Sequence, residues 1–393
     1  MQLDPQRFLP DDGLKGTLLA RVWSGGPGIA GPSVAVLRSD GVYDLSQHFS
    51  TMSGLLELKD AVQQVRAAKG RRLGSLEELL ANSTQATPDA LRPYFLAPCD
   101  LQVVKAGGVT FATSLLERVI EEQAGGDPAR ASEVRTKVEA AIGQNLRAIK
   151  PGSEQAMELK RLLQSQGLWS QYLEVGIGPD AEVFTKAPVL SSVGTGAQVG
   201  IRSDSSWNNP EPEVVLAVNS VGAIVGATLG NDVNLRDIEG RSALLLGKSK
   251  DNNASCAIGP FIRLFDASFS LDDVRQASVD LSVEGLDGFQ MRGISHMAEI
   301  SRDPLELVKQ TIAAHQYPDG FMLFMGTLFS PIEDRDHPGD GFTHKLGDRV
   351  SIRSAMLGEL CNEVTHCETA PPWRFGLRAL MGNLAERGLL AGV

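Results

Sequence analysis

Short runs of apolar and polar residues divide the first part of the chain into strands and helices. The stretch 32–46, PSVAVLRSDGVYDLS, contains two strand-like runs broken by an Asp-Gly pair, a common turn signal. Apolar residues then recur at helical spacing over 54–70, and Ser75 is placed to cap a short helix in SLEELLANS. We therefore predict a separate N-terminal α+β domain over residues 1–102.

The rest of the chain changes from a helical pattern to a strand pattern. Residues from about 110 to 167 keep apolar positions at helical spacing and predict a group of helices. Beyond Trp169, short β-branched runs such as EVVLAVNS alternate with glycine-rich turns, which favours a β-sandwich or β-roll over β-α-β units. One more helix is predicted in DPLELVKQTIAAHQ, with Asp303 as its cap and Pro304 in its first turn. The predicted class is α+β, mainly β, with a second domain over 103–393.

The composition is that of a soluble globular protein and argues against two classes of partner. The 393 residues carry a formal net charge of −11, so the chain has no overall attraction for nucleic acid or for an anionic membrane. No run of about 18 apolar residues is present, and the first residues, MQLDPQRFLPDDG, lack the apolar core of a secretion signal. The four cysteines match neither a paired zinc motif nor a disulfide framework. We predict a cytoplasmic protein with reduced cysteines.

Three acidic residues stand out because they lie on two runs that predict a hairpin. Glu211 and Glu213 are two positions apart at the start of a strand-like run, so their side chains point to the same face. The run turns through Gly222 and returns in AIVGATLGND, which places Asp232 near the first pair. A solvated acidic face is the simpler interpretation of Glu-x-Glu. If the three carboxylates converge in a buried pocket, they favour a hard divalent cation such as Mg²⁺, which takes oxygen ligands.

Two lysines follow in the string LLLGKSKDNNASCAIGP. We predict that Lys248 and Lys250 lie on an extended stretch and face the same way. A lysine next to a bound cation has a lowered pKa, because the like charge disfavours the protonated amine, and such a lysine can act as a general base. The alternative is a solvated basic turn without a role in chemistry.

The ordered set of these motifs resembles the fumarylacetoacetate hydrolase family. The resemblance covers roughly residues 104–393 and rests on EPEVVLAVNS, GNDVNLRDIEG, a lysine ahead of SCAIGP, MGTLFSP and GFTHKLGDRVSI. The strings SSWNNPEPE, RDIEG and ASCAIGP are most similar to the branch that dehydrates 2-keto-3-deoxy sugar acids such as 2-keto-3-deoxy-D-arabinonate. The resemblance implies a mixed β-roll catalytic domain with a helical lid, a homodimer or higher homo-oligomer, and Mg²⁺ or Mn²⁺ as cofactor.

The resemblance also implies roles for individual residues. The metal carboxylates are Glu211, Glu213 and Asp232, and the spacing to Cys256 and Gly-Pro places the catalytic lysine at Lys250, while the local GKS string would place it at Lys248. The residues expected to contact the substrate, a small 2-keto acid, are Thr327, Arg236, Glu239 and Lys248.

One departure from the family pattern bears on the reaction. Hydrolytic members carry Tyr-x-x-His-x-x-Glu on the lid, and here the matching string FATSLLE has Phe111, Ser114 and Glu117. Without the histidine, the pair that activates water is incomplete. We therefore expect a carbon–oxygen lyase: Lys250 takes a proton from carbon 3, a metal-stabilised enolate forms, and Glu117, directly or through Ser114, protonates the departing hydroxyl to give 2-oxoglutarate semialdehyde.

Two other functions stay open at this point. The first is a metal-dependent hydrolase that cleaves a carbon–carbon bond of a 2,4-diketo acid with the same metal site. The second is a non-catalytic binding protein that retains the fold.

Overall fold

The strands and helices follow from a computed structural model that describes residues 3–26, 28–142, 149–165, 169–331, 333–338 and 341–390. The strands are β1 Leu18–Trp23, β2 Pro32–Arg38, β3 Gly41–Asp44, β4 Arg71–Gly74, β5 Tyr94–Leu96, β6 Val103–Gly108, β7 Glu182–Ala187, β8 Gln198–Ile201, β9 Asn208–Asn209, β10 Pro212–Val218, β11 Ile224–Asp232, β12 Asn234–Leu235, β13 Cys256–Leu264, β14 Ser278–Glu284, β15 Gln290–His296, β16 Phe321–Phe324, β17 Arg349–Ser354 and β18 Gly358–His366.

The helices lie before, between and after these strands. They are α1 Pro5–Phe8, α2 Met52–Leu56, α3 Ala61–Ala67, α4 Leu76–Ser83, α5 Ala112–Ala124, α6 Pro128–Ile142, α7 Glu154–Ser165, α8 Gln171–Ile177, α9 Arg236–Glu239, α10 Leu246–Lys250, α11 Leu271–Arg275, α12 Pro304–Ile312 and α13 Leu377–Glu386. None of the described helices combines the length and the apolar character that a membrane crossing requires.

Two sheets dominate the described part of the chain and pack against each other. The larger has eleven strands, in the order β4-β3-β2-β1-β13-β11-β10-β16-β6-β7 with β5 paired to β1. The smaller has five, in the order β15-β14-β17-β18-β8, and the short strands β12 and β9 form a separate pair. Most neighbours are antiparallel, and the parallel pairs are β16 with β6 and β18 with β8. This arrangement confirms the predicted α+β, mainly β class.

Strand β10 shows how the core is divided between the two faces of the large sheet. Val214 and Leu216 point to the core shared with the small sheet, where they join Leu281 and Ile352. Val215 points the other way, to the core beneath the N-terminal helices. Side chains of a strand alternate between its faces, so a strand buried on both sides becomes continuously apolar. The unbroken VVLAV run is explained by this double burial.

The segment predicted as an N-terminal domain contributes strands to the same large sheet. β1 pairs with β13, with Leu18 opposite Arg263 and Leu19 opposite Ile262. The strands before residue 102 are therefore continuous with those that follow it, and the division at residue 102 stays a prediction. Ser75 caps α4 as expected, accepting a hydrogen bond from the Glu78 amide.

The helices predicted over 110–167 correspond to α5, α6 and α7, and we call them the lid helices. Residues 143–148 and 166–167 of the predicted segment lie outside the described residues. α5 packs on α7 and α8 through Leu115, Leu163 and Leu173, a cluster separate from the two sheet cores. The later helix is also confirmed: the Asp303 side chain caps α12, and Pro304 lies in its first turn. All four cysteines are buried and lie outside disulfides.

Candidate metal and catalytic site

The hairpin of β10 and β11 brings three carboxylates onto one face of the large sheet. Glu213 lies opposite Gly230, and the Asp232 amide donates a hydrogen bond of 3.1 Å to the Glu211 carbonyl oxygen. Residues directly opposite in an antiparallel pair share a face, and so do residues two apart on one strand. One oxygen from each of Glu211, Glu213 and Asp232 lies within 4.8 Å of the others, and all three residues are buried. The predicted convergence is confirmed.

Two buried lysines compensate part of this negative charge. The Lys250 Nζ lies 2.6 Å from Glu211 Oε2 and 3.2 Å from Asp232 Oδ2. The Lys186 Nζ lies 2.7 Å from Asp232 Oδ1 and donates to the carbonyl oxygens of Val233, at 3.1 Å, and Lys250, at 2.6 Å. Burial raises the pKa of Asp232, but Lys186 and Lys250 lower it by more, so this carboxyl is held below its ordinary pKa.

Lys248 and Lys250 do not lie on an extended stretch, so that expectation is wrong. They belong to the short helix α10, in which residues two apart point in nearly opposite directions. Lys250 therefore faces the carboxylates, while the exposed Lys248 lies 3.2 Å from Asp204 Oδ2 on the surface. Lys248 does not line the cavity described below, so the substrate contact predicted for it has no geometric support.

Glu213 has a different environment from the other two acids. Its carboxylate accepts a 2.6 Å hydrogen bond from the Gly326 amide, and no described lysine or arginine lies within 4.0 Å of it. Burial, together with the charges of Asp232 and Glu211, raises the pKa of Glu213 well above its ordinary value. Three converging oxygen donors with one uncompensated charge match the hard ligand set that Mg²⁺ or Mn²⁺ prefers. The residues present fit a divalent cation.

A narrow cavity opens beside these carboxylates, and its space, including the open mouth, is about 370 Å³. Besides the three acids, it is lined by Ser114, Arg118, Glu182, Phe184, Glu239, Lys250 and Thr327. Arg118 comes from lid helix α5, and its guanidinium lies 2.6 Å from Glu211 and 2.7 Å from each of Glu239 and Glu121. Burial lowers the pKa of Arg118, but these three carboxylates together raise it well above its ordinary value. The lid is thus tied to the carboxylate face by an arginine that the sequence did not indicate.

The structure brings some predicted substrate and lid residues to the cavity and leaves others outside. Ser114, Glu239 and Thr327 line it. Glu117 and Arg236 do not, since Glu117 is paired with both Nη atoms of Arg135 and lies 3.5 Å from Arg236 Nη2.

Arg236, which also does not line the cavity, is held by two other contacts. Its Nε lies 2.7 Å from Glu121 Oε1, and its guanidinium stacks 4.2 Å from the centroid of the Trp207 ring. The geometry therefore does not support a direct substrate contact for Arg236 or the proton-donor role expected of Glu117.

A carboxylic acid missed by sequence reasoning lies on the cavity wall instead. Glu182 begins strand β7 and sits opposite Gly108 of β6, whose missing side chain leaves room for the Glu182 carboxyl. Burial and the nearby charge of Glu239 raise the pKa of Glu182 to about 7. No local motif marks it, because its place in the site depends on the pairing of β6 with β7. Lys186, on the same strand, escapes notice for the same reason.

Comparison with known proteins assigns the chain to a known family. The sequence profile described as fumarylacetoacetate (FAA) hydrolase C-terminal matches residues 179–365. The chain is 30% identical over 213 residues to a probable 2-keto-3-deoxyxylonate dehydratase of Haloferax volcanii, covering 54% of this chain and 68% of the relative. The chain belongs to the fumarylacetoacetate hydrolase family.

Two further known proteins are similar to this chain over different shares of its length. A 2-dehydro-3-deoxy-D-arabinonate dehydratase of Saccharolobus solfataricus is 34% identical over 186 residues, which is 47% of this chain and 58% of that protein. The solved structure of a 2-keto-3-deoxy-D-arabinonate dehydratase complexed with magnesium and 2,5-dioxopentanoate has a TM-score of 0.57 at 21% identity, over 89% of this chain and 99% of that one. At that identity the structural likeness establishes the fold.

Proposed function

We propose that this protein is a hydro-lyase that removes water from a 2-keto-3-deoxy sugar acid, such as a 2-keto-3-deoxypentonate, to give 2-oxoglutarate semialdehyde. One observation carries the proposal: the buried amine of Lys250 lies between Glu211 and Asp232, in the same cavity as Glu213. The names of the two relatives above, both sugar-acid dehydratases, support the substrate class.

The three carboxylates are the residues that would hold Mg²⁺ or Mn²⁺. When bound, the cation supplies a Lewis acid for the 2-keto group, and its charge offsets the carboxylates that surround Lys250. Burial lowers the pKa of Lys250, but the charges of Asp232 and Glu211 raise it above its ordinary value. Without a cation to offset them, these carboxylates therefore favour the ammonium form of Lys250. Lys250 contacts two of these ligands and lines the cavity, so it is our candidate to take the proton from carbon 3.

Thr327 and Arg118 are suited to hold the substrate. The Thr327 Oγ1 accepts a 3.1 Å hydrogen bond from the Phe329 amide, which leaves its own proton for a substrate carboxylate oxygen. Arg118 brings a fixed positive charge from lid helix α5 to the cavity, next to Glu211. We assign both to substrate binding, with Glu239 helping to fix the Arg118 guanidinium through a 2.7 Å contact.

Glu182 replaces Glu117 as the proposed proton donor. A carboxyl group with a pKa of about 7 keeps its proton in a large fraction of molecules at neutral pH, whereas an ordinary glutamate does not. Donation of that proton to the hydroxyl on carbon 4 lets it leave as water once carbon 3 has lost its proton. The resulting enoyl acid then rearranges to the semialdehyde.

The alternative hydrolase has weaker support from the geometry. The lid position where hydrolytic members place histidine holds Ser114, whose hydroxyl donates to the Phe111 carbonyl oxygen at 3.0 Å. The accompanying Glu117 is engaged by Arg135 and Arg236 outside the cavity. Neither residue is arranged to activate water, which favours dehydration over cleavage of a carbon–carbon bond.

One assay separates these possibilities. The protein with Mg²⁺ is incubated with 2-keto-3-deoxypentonates and, separately, with acylpyruvates, and the products are identified by NMR. We expect semialdehyde from the first group, no pyruvate from the second, and loss of turnover in Lys250→Met but not in the matched surface variant Lys248→Met. Formation of pyruvate and an acid would support the hydrolase, and no turnover of any 2-keto acid would support a non-catalytic binding protein.

The assembly and the location of the protein remain our proposals as well. We propose a homodimer, tested by sedimentation velocity, and a cytoplasmic location, tested by cell fractionation. The family resemblance supports the dimer, and the buried cysteine thiols support the cytoplasm.

A further inference from the structure

A second cleft lies apart from the metal site, between the N-terminal strands and the segment that precedes β8. Its space, including the open mouth, is about 730 Å³. Its walls include Arg21, Trp23, Tyr94, Leu96, Val193 and Phe375. The first four share one face of the β1–β5 pair, since Arg21 lies opposite Leu96 and Trp23 opposite Tyr94.

Arg21 is a buried cation without a hydrogen-bonded partner. Only 7% of its surface is exposed, and within the described residues no acceptor takes a hydrogen bond from its guanidinium and no carboxylate lies within 4.0 Å. The acid that acts on it most, Asp100, already accepts hydrogen bonds from the amides of Met52, Ser53 and Leu101. Burial lowers the pKa of Arg21 in spite of that carboxylate. Burying such a charge unpaired is costly, so a ligand anion has a place to bind.

The other walls of the cleft are mainly aromatic and apolar, with Ser83 and Ser192 as polar members. Trp23 stacks with Tyr94, with ring centroids 6.2 Å apart, and meets Phe375 edge to face at 5.8 Å. Within the described chain nothing accepts a hydrogen bond from the Tyr94 hydroxyl, which is therefore available to a ligand. A single guanidinium among apolar walls matches one negative charge better than two, and its planar fork matches a carboxylate. The flat rings match an apolar or aromatic body.

We propose that this cleft is a binding site for an organic monocarboxylate with a planar apolar body, held by Arg21 and the Tyr94 hydroxyl against the aromatic wall. The site is distinct from the metal-binding cavity. Strand β13 connects the two sites. Val193 in the cleft wall exchanges backbone hydrogen bonds with Cys256 and Ile258 of β13, and Cys256 pairs with the metal-site residue Asp232.

The test measures binding of phenylacetate to the full-length protein in Mg²⁺ by isothermal titration calorimetry. Phenylacetamide has the same shape without the charge, and acetate has the charge without the ring. We expect phenylacetate to bind at least tenfold more tightly than either, and Arg21→Met to weaken it at least tenfold. Tyr94→Phe should weaken it by a smaller factor. Ala197→Leu, which fills the cleft wall without changing charge, should also abolish binding.

Thermal unfolding gives a second, independent measurement. Because Arg21 has no partner, Arg21→Met should keep or raise the unfolding midpoint. The matched control is Arg302, which is also buried but is bonded to the carbonyl oxygens of Val175 and Gly178 and to Glu306. Arg302→Met should lower the midpoint and leave phenylacetate binding unchanged.

Several results would overturn the proposal. They are equal affinity for phenylacetate and phenylacetamide, no detectable binding of phenylacetate, unchanged affinity in Arg21→Met, or a midpoint that falls in Arg21→Met as it does in Arg302→Met. Sedimentation showing that Ala197→Leu dissociates a dimer would also overturn it, because the cleft would then be a contact between copies of the chain.

Discussion

Replacement of Glu182 by glutamine tests the proposed chemistry separately from the stability of the fold, because it should lower activity and raise the free energy of unfolding. The pKa of this carboxyl rises from an ordinary 4.5 to about 7 in the folded protein. Between those values the folded state binds more protons than the unfolded state, so stability falls as pH rises from 4.5 through 7. At 1.36 kcal/mol per pKa unit, ionisation of Glu182 lowers the free energy of unfolding by about 3 kcal/mol above pH 7.

Glu182→Gln removes this cost, so the metal-free variant in EDTA should be more stable than wild type by up to about 3 kcal/mol at pH 8. At pH 4.5 the two should differ little, because the carboxyl is neutral in the folded wild type. The measurement is urea unfolding followed by circular dichroism at both values. Glu117→Gln is the matched comparison: it breaks the ion pairs with Arg135 and Arg236 and should lose stability at pH 8.

Activity should change in the opposite direction. Removing a general acid typically costs about 10²–10⁴-fold in rate, so kcat of Glu182→Gln with Mg²⁺ should fall at least a hundredfold. Wild-type kcat should decline as pH rises through the Glu182 pKa of the substrate complex, and the residual activity of the variant should lack that decline. An equal stability gain at both pH values, or an unchanged pH profile, would refute the assignment of Glu182.

The remaining predictions concern the lysines, the metal and one helix cap. Lys250→Met should reduce kcat at least a hundredfold while Lys248→Met stays near wild type, measured by initial rates on a 2-keto-3-deoxypentonate. Glu213→Gln should be more stable than wild type in EDTA, since burial disfavours its charge, yet lose the rise in unfolding midpoint that Mg²⁺ gives to wild type. Asp303→Ala should lose about 1 kcal/mol in urea unfolding, because its carboxylate caps α12, with turnover unchanged.

The sequence was sufficient to predict the carboxylate face because all of its geometry is local. The Asn219 amide donates to the Ala223 carbonyl oxygen, and Gly222 takes a positive φ of 79°, which closes the turn of the hairpin. Once the turn is closed, a β-bulge at Ala217 and Val218 shifts the register by one residue, and strand alternation then sets Glu211, Glu213 and Asp232 on one side. No contact from a distant part of the chain is needed for these three positions.

The residues that other parts of the chain bring to the cavity could not be predicted in the same way. Glu182 reaches the site through the pairing of β7 with β6, and β6 in turn lies parallel to β16. Arg118 reaches it through the packing of the lid. Such pairings depend on long-range packing, and EVFTKA taken alone looks like an ordinary edge strand. A pKa raised by burial is likewise invisible until the neighbours are known.

The two lysines show how one local assignment changes a chemical prediction. LGKSK contains glycine and serine and has no apolar period, so its sequence does not predict a helix. Tertiary contacts hold the helix instead: the Lys250 carbonyl oxygen accepts hydrogen bonds from Lys186 Nζ at 2.6 Å and from Ser255 Oγ at 2.8 Å. On a strand, both amines would face the carboxylates, and either could be the base. On the helix their directions differ by about 200°, so Lys250 alone reaches the site.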